Sequence, residues 1–206
     1  MSVQLNNYTK ALIPEPYTIL GIELKPFCLG HIFLMQRFGC AFSSESPDTM
    51  GGIDDLLLGI SICSRTYEEF LEFVNTPKEL KEWTKQWGKY IKKETKKKNF
   101  DILSKFELFR EYLKSGIFIP KYWELETSEH KEQSGTHWTH KVLNTLTSEL
   151  GYTQSEALNV AIARGLQDYF RYLEKNGPIT LMTDEDLEML ENSKANNPLE
   201  PIKETV

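Results

Sequence analysis

The 206-residue sequence lacks most patterns that are typical of enzymes and membrane proteins. No apolar run approaches the roughly 18–20 residues that a membrane-spanning helix requires. The first residues also lack the charged and then apolar pattern of a secretory signal. There is no Gly-x-Ser-x-Gly elbow, and Gly51-Gly52 is not followed by the Lys-Ser/Thr of a phosphate-binding loop. The sequence therefore predicts no catalytic activity, no cofactor and no membrane partner.

Cysteine is scarce, and the three present form an odd number: Cys28, Cys40 and Cys63. Each lies in apolar sequence, which disfavours the thiolate form that a nucleophile needs. Buried, reduced thiols are typical of cytoplasmic proteins, whereas secreted domains of this size usually pair their cysteines. We therefore expect three inert thiols and a cytoplasmic location.

Histidine is also rare, but its spacing raises the question of a metal site. Cys28-x-x-His31 and His137-x-x-His140 together offer two-plus-two ligands at spacings that zinc accepts. Structural zinc pairs usually show tighter, repeated spacing. Cys28 would equally suit a helix N-cap, and His137 and His140 would suit a first helical turn. We predict that Cys28 caps a helix, that His137 and His140 lie in a first helical turn, and that these residues bind no metal.

The net charge of −6 is unevenly distributed. Between Lys78 and Lys98 there are nine Lys against three Glu, while from Asp184 onward there are seven acids against two Lys. Overall acidity argues against a dedicated nucleic-acid-binding protein. The asymmetry permits attraction within the chain or between subunits, and a solvated surface explains it equally well.

Threonine marks the expected starts of four helices. Its oxygen can accept from the free amides of a first helical turn, while an acid three residues later reaches back to the cap amide. Short, well-delimited helices are therefore expected after each such pair. The pairs are Thr66 with Glu69, Thr76 with Glu79, Thr153 with Glu156, and Thr183 with Asp186.

These signals and the apolar spacings predict a mainly α fold: a compact multi-helix domain with a small N-terminal β-hairpin and a C-terminal helical hairpin. The hairpin is expected around Gly21, and residues 117–126 are expected to be extended. The predicted helices are 29–39, 53–63, 67–75, 77–98, 100–114, 137–150, 154–176 and 184–193. The predicted organisation is an arm over 1–16, a helical lobe over 17–126, a linker over 127–135, a hairpin lobe over 136–193 and a flexible tail over 194–206.

Residues 146–165 imitate a helix-turn-helix, with a turn at Gly151 between two apolar segments. A recognition helix should present cations or donors near its N-terminus to DNA. Here the first turn offers Gln154, Ser155 and Glu156. An ordinary helical hairpin is the preferred interpretation, so a nucleic-acid partner is not expected, and DNA binding stays an alternative.

Two segments carry a family resemblance. The first runs from Leu20 to Gly39, with Leu-Gly-Ile-Glu-Leu-Lys-Pro-Phe-Cys-Leu-Gly-His at its start, and continues into Asp54–Thr66 and the 67–75 helix. The second runs from Trp138 to Gly177 and includes Leu-Gly-Tyr-Thr-Gln-Ser-Glu-Ala-Leu-Asn. Together they resemble small helical proteins encoded in the tail regions of bacteriophages and prophages, especially tail assembly chaperones.

The resemblance implies a non-enzymatic protein that acts in the host cytoplasm during virion assembly. Tail assembly chaperones coat the long tape measure protein, keep it soluble and help nucleate polymerisation of the tail tube. The implied partners are phage structural proteins, either tape-measure-like or tail and connector subunits, with a homo-oligomer as an open question. The alternative is a structural subunit of the virion, such as a head–tail connector or baseplate protein.

A partner-binding surface is expected where aromatic side chains follow one helix face. Lysines occupy the remaining faces of the 77–98 helix, so its stripe suits a partner groove or, alternatively, packs on the core while Lys faces solvent. The predicted partner-binding residues are Trp83, Trp87, Tyr90 and Ile91, with Tyr169, Phe170 and Tyr172 as a second patch.

Overall fold

The computed structural model describes residues 16–43, 51–96, 101–125, 136–177 and 179–196. Within them the protein is mainly helical, as predicted, with nine α-helices and two antiparallel strand pairs. The predicted linker, nearly all of the arm and most of the tail lie outside the described residues. The elements are β1 Tyr17–Ile19, β2 Ile22–Leu24, α1 Leu29–Arg37, a 3₁₀ turn Ala41–Ser43, α2 Ile53–Cys63, α3 Tyr67–Asn75, α4 Pro77–Glu94, α5 Ile102–Gly116, β3 Tyr122–Glu124, α6 Trp138–Ser148, α7 Gln154–Asn159, α8 Ile162–Lys175, β4 Ile179–Leu181 and α9 Asp184–Asn196.

The predicted N-terminal hairpin is confirmed. β1 pairs with β2 in antiparallel register, with Ile19 opposite Ile22. Leu20 and Gly21 form the turn with φ of 53° and 79°, and positive φ at both central residues suits the right-handed twist of the strands. Ile19 and Leu24 are buried, so the hairpin covers one side of the helical core.

Three of the four predicted threonine caps are confirmed. The amide of Glu69 donates to the Thr66 hydroxyl at 3.2 Å, and the Glu69 carboxylate accepts from the Thr66 amide at 2.7 Å. Such reciprocal bonds satisfy two free donors of the first turn. The same pattern occurs at Thr153 with Glu156 and at Thr183 with Asp186.

The predicted side-chain cap at Thr76 is absent, although a helix begins after Thr76 as predicted. Its hydroxyl donates back to the carbonyl of Glu72 at 3.0 Å and makes no bond to the first turn of α4. Thr76 ends α3 and begins α4 at the same time, so its side chain is committed to the helix that precedes it. Pro77 begins α4, where its missing N–H carries no penalty.

The C-terminal hairpin differs from the prediction because its second helix is divided into α7 and α8. Val160 is extended, with ψ of 140°. The backbone here pairs with the segment that precedes α1: the amide of Ile162 donates to the carbonyl of Phe27 at 2.8 Å, and Ala161 forms a β-bridge with Cys28. The Ile162 amide thus bonds Phe27 instead of the carbonyl four residues before it.

The extended segment predicted at 117–126 contains β3, and its partner is β4, which the sequence did not predict. Trp123 lies opposite Thr180 in an antiparallel pair. Ile179, which lies opposite Glu124 in this pair, is buried. The pair therefore joins the predicted helical lobe to the predicted hairpin lobe.

Residues from the two predicted lobes also share one apolar core. An added Cβ at Gly30 would lie 2.8 Å from the carbonyl oxygen of Leu158, so only glycine permits this close approach of α1 to α7. Asn159 accepts from the amide of Tyr67 at 2.9 Å and donates to Glu68 at 2.7 Å. α7 is thus held against both α1 and α3.

His31 is a polar side chain inside this core, with an exposed fraction of only 1%. Its Nδ1 lies 3.4 Å from the amide of Cys28, and its Nε2 lies 2.8 Å from the carbonyl of Arg65. The amide can only donate, so Nδ1 accepts while Nε2 carries the proton and donates to Arg65. Burial, helped by the charge of Lys25 and opposed by the Arg65 bond, lowers the pKa of His31 to about 4.

We predict that acid destabilises the protein through His31. Between about pH 6.5 and pH 4 the unfolded chain binds a proton that the folded chain excludes, so stability falls as the pH falls, by up to about 3 kcal/mol. The measurement is urea unfolding across this range. His31→Gln, which offers one acceptor and one donor but does not titrate, should give a flatter dependence. Parallel curves for the two proteins would contradict the prediction.

Candidate functional site

An open groove of about 640 Å³ lies between α2, α3 and α4. We call it the apolar groove, because its lining is almost entirely hydrophobic. α2 contributes Leu57 and Leu58, α3 contributes Phe73 and Val74, and α4 contributes Leu80, Trp83, Thr84, Trp87, Gly88 and Ile91.

A ladder of aromatic rings attaches α4 to α3. Phe73, Trp83, Trp87 and Tyr90 follow one another with ring centroids 5.9, 5.8 and 5.4 Å apart, each pair edge to face. Trp87 is only 7% exposed, while Trp83, Tyr90 and Ile91 are partly buried. The predicted stripe therefore packs inward, and one edge of it lines the apolar groove.

The exposed wall of α4 is a second row, in which sequence reasoning missed Thr84 and Gly88. Leu80, Thr84 and Gly88 follow at four-residue spacing and are all exposed, Leu80 by 39%. Four-residue spacing puts side chains on one helix face. Thr84 and Gly88 are not hydrophobic, so the apolar pattern gave no signal for this row, although Gly in the interior of a long helix was a usable one.

The second predicted patch lies on α8 and is only partly accessible. Phe170 is buried and packs on Tyr122 with ring centroids 5.2 Å apart, so it belongs to the core. Tyr169 and Tyr172 are partly buried. α8 packs against α6 and β4, whereas α4 packs against α3, so the two predicted patches lie on different surfaces.

The cysteines are buried free thiols, as the sequence predicts. Burial raises the pKa of Cys28 to about 12 and that of Cys40 to about 11, and it raises the pKa of Cys63 well above its ordinary value. A thiol in this state is a poor nucleophile and a poor metal ligand. Among the described residues, no group of three or more His, Cys, Asp or Glu side chains could hold a metal ion.

The helix-turn-helix alternative depends on α7 presenting its first turn to DNA. Ser155 instead donates to one carboxylate oxygen of Glu68 at 2.7 Å, and Asn159 donates to the other at 2.7 Å. These bonds hold this face of α7 against α3. Two polar groups of this face, Ser155 and Asn159, are therefore engaged within the protein.

Comparisons of the chain with family models, curated proteins and solved structures found no match. No helix among the described residues is long and apolar enough to cross a membrane. The apolar groove is therefore the candidate functional site.

We predict opposite effects for the same substitution at two helical glycines. An added Cβ at Gly88 meets no described atom within 4 Å, whereas at Gly59 it would lie 2.6 Å from the Phe109 ring. Gly88→Ala should raise the free energy of unfolding by about 1 kcal/mol, because alanine favours the helix. Gly59→Ala should lower it by about 1–3 kcal/mol through overpacking. Urea unfolding of both variants is the measurement. A destabilised Gly88→Ala would mean that another part of the protein packs against α4 at Gly88.

Proposed function

We propose that this protein is a non-enzymatic assembly protein of the phage tail chaperone type, which holds an apolar helix of a tape-measure-type protein in the apolar groove. The observation that carries the proposal is the groove itself. Three helices line it with aliphatic and aromatic side chains, and an aromatic ladder keeps its α4 wall in place. Surfaces of this kind receive the apolar stripe of an amphipathic helix.

The polar groups of the groove favour a helix over a small polar ligand. The Thr84 hydroxyl donates to the carbonyl of Leu80 at 2.8 Å. The Ser61 hydroxyl and carbonyl accept from Arg65 at 3.1 and 2.9 Å. Small-molecule sites usually orient their ligand with a few free, convergent polar groups. Here Thr84 and Ser61 are engaged within the protein, and the one charged side chain among the described lining residues is Asp54 at the start of α2, so recognition falls mainly to apolar side chains.

The biological setting comes from the resemblance to tail assembly chaperones. A long helical protein that awaits assembly exposes apolar stripes, and a groove that covers one stripe at a time would keep it soluble. This role places the protein in the host cytoplasm during virion assembly. Buried thiols with raised pKa values suit a protein that acts by binding rather than by covalent chemistry.

We predict that a charge in the groove abolishes capture of the partner. Leu80→Glu puts a carboxylate on the groove wall, while Leu103→Glu puts one on α5, where Leu103 is 56% exposed and outside the groove. Tagged protein is purified from cells that carry the complete source gene cluster, and partners are identified by mass spectrometry. A long, helical, tape-measure-type protein should dominate with the wild type and Leu103→Glu, and should fall by at least about tenfold with Leu80→Glu.

Thermal melts that match the wild type would show that both variants are folded. Equal capture by Leu80→Glu would remove the groove from the binding site. Recovery of connector or baseplate proteins alone would favour a structural virion subunit. Recovery of DNA without a protein partner would favour a DNA-binding function.

A further inference from the structure

Gly88 lies in the interior of the 18-residue helix α4, where glycine is unfavourable relative to alanine. Its backbone φ is not in the left-handed region. Other helical glycines have a packing reason: an added Cβ would lie 2.6 Å from Phe109 at Gly59, and 2.6 Å from Phe27 at Gly116. At Gly88 no described atom lies within 4 Å. Glycine therefore leaves room on the groove wall for something that approaches α4 closely.

The row that contains Gly88 becomes smaller along the helix. Leu80, Thr84 and Gly88 present side chains of decreasing size to the apolar groove. The distance between two packed helices depends on the side chains at their contact. A helix in the groove would therefore come closest to α4 at Gly88, and it would place a small residue there.

The charge beside this row on α4 has one sign, whereas α2 contributes one acid, Asp54, to the facing wall of the groove. At 100° per residue, Lys81, Lys85 and Lys92 follow the row on the side away from the tryptophans, and all three are exposed. The acids of α4 (Glu79, Glu82 and Glu94) fall on its other faces by the same geometry. A partner helix would meet lysines along this edge, so carboxylates on it are favoured.

We propose that the occupant of the apolar groove is an acidic amphipathic helix of a partner protein, which crosses α4 at Gly88 with a small residue and directs carboxylates toward Lys81, Lys85 and Lys92. This rests on the proposed function and adds the chemistry of the bound segment. α9 is acidic and exposes Met189 by 69%, so a second copy of the chain is the competing occupant. Leu187 and Leu190 of α9 are already partly buried, which leaves α9 little apolar surface to offer.

The test uses two fluorescent helical peptides with the same apolar face and a central alanine. One carries Glu at the flanking positions and the other carries Lys. Fluorescence anisotropy with the full chain should show the acidic peptide binding about tenfold more tightly, as expected for a few exposed ion pairs, and the difference should shrink at high salt. Replacing the central alanine of the peptide by leucine should weaken binding.

Two matched pairs of variants locate the contact. Gly88→Leu fills the groove wall and should abolish binding, while Gly88→Ala, which adds a single methyl group, should weaken binding to a smaller extent. Lys81→Glu/Lys85→Glu should remove the preference for the acidic peptide. Lys141→Glu/Lys175→Glu makes the same charge change at exposed positions of α6 and α8, which do not line the groove, and should leave the preference intact. Circular dichroism checks that each variant is folded.

Equal affinity for the two peptides, or equal effects of the two lysine pairs, would overturn the inference. Concentration-dependent self-association of the wild type that the acidic peptide displaces would also overturn it, in favour of a second copy. The proposed function fails separately. Capture of a tape-measure-type protein that is sensitive to Leu80→Glu, without a charge preference among peptides, would contradict only the inference. Tight binding of the acidic peptide without such capture would contradict only the proposed function.

Discussion

The contact between Phe27–Cys28 and Ala161–Ile162 is the constraint on which the rest of the fold depends. It joins segments more than 130 residues apart through backbone groups, with the Ile162 amide 2.8 Å from the Phe27 carbonyl. Because this bond divides the C-terminal hairpin at Val160, α7 is free to lie against α1 at Gly30. The side chain of Asn159 then reaches the first turn of α3. Packing of these two segments thus fixes the position of α3, which forms one wall of the groove.

The apolar groove follows from how α4 leaves α3. Thr76 is both the C-cap of α3 and the N-cap of α4, so no loop separates the two helices, and its extended backbone interrupts the helical path. The aromatic ladder from Phe73 through Trp83 and Trp87 holds one face of α4. The adjacent face of α4, which contains Leu80, Thr84 and Gly88, lines the groove, and no described atom lies within 4 Å of a Cβ added at Gly88. Edge-to-face aromatic contacts stabilise such a wall without closing it.

The side chains that could take part in covalent or acid–base chemistry serve the structure. His31 completes the cap of α1 with Cys28, its ring bonds two backbone groups, and burial holds it neutral. Asp55 accepts from the amides of Ala41 and Gly52, both at 2.9 Å, and so fixes the start of α2. The sequence suggested the capping role of Cys28. These arrangements direct attention from covalent chemistry to the surface of α4, where a partner can be recognised by shape and charge.

The sequence by itself determined the local features. The Thr66 and Thr153 caps depend on residues three apart, and the turn at Leu20-Gly21 depends on the freedom of Gly21 to adopt positive φ, so neighbours in sequence were sufficient to predict both. Tertiary structure decided the rest. The break at Val160 arises because backbone groups found partners at Phe27–Cys28, and β4 is three residues long and exists only against β3. The groove also could not be predicted, because α2 supplies its facing wall and its Gly88 edge carries no apolar pattern. Local signals define where helices begin and end, but they carry no information about which distant backbone or helix face will meet them.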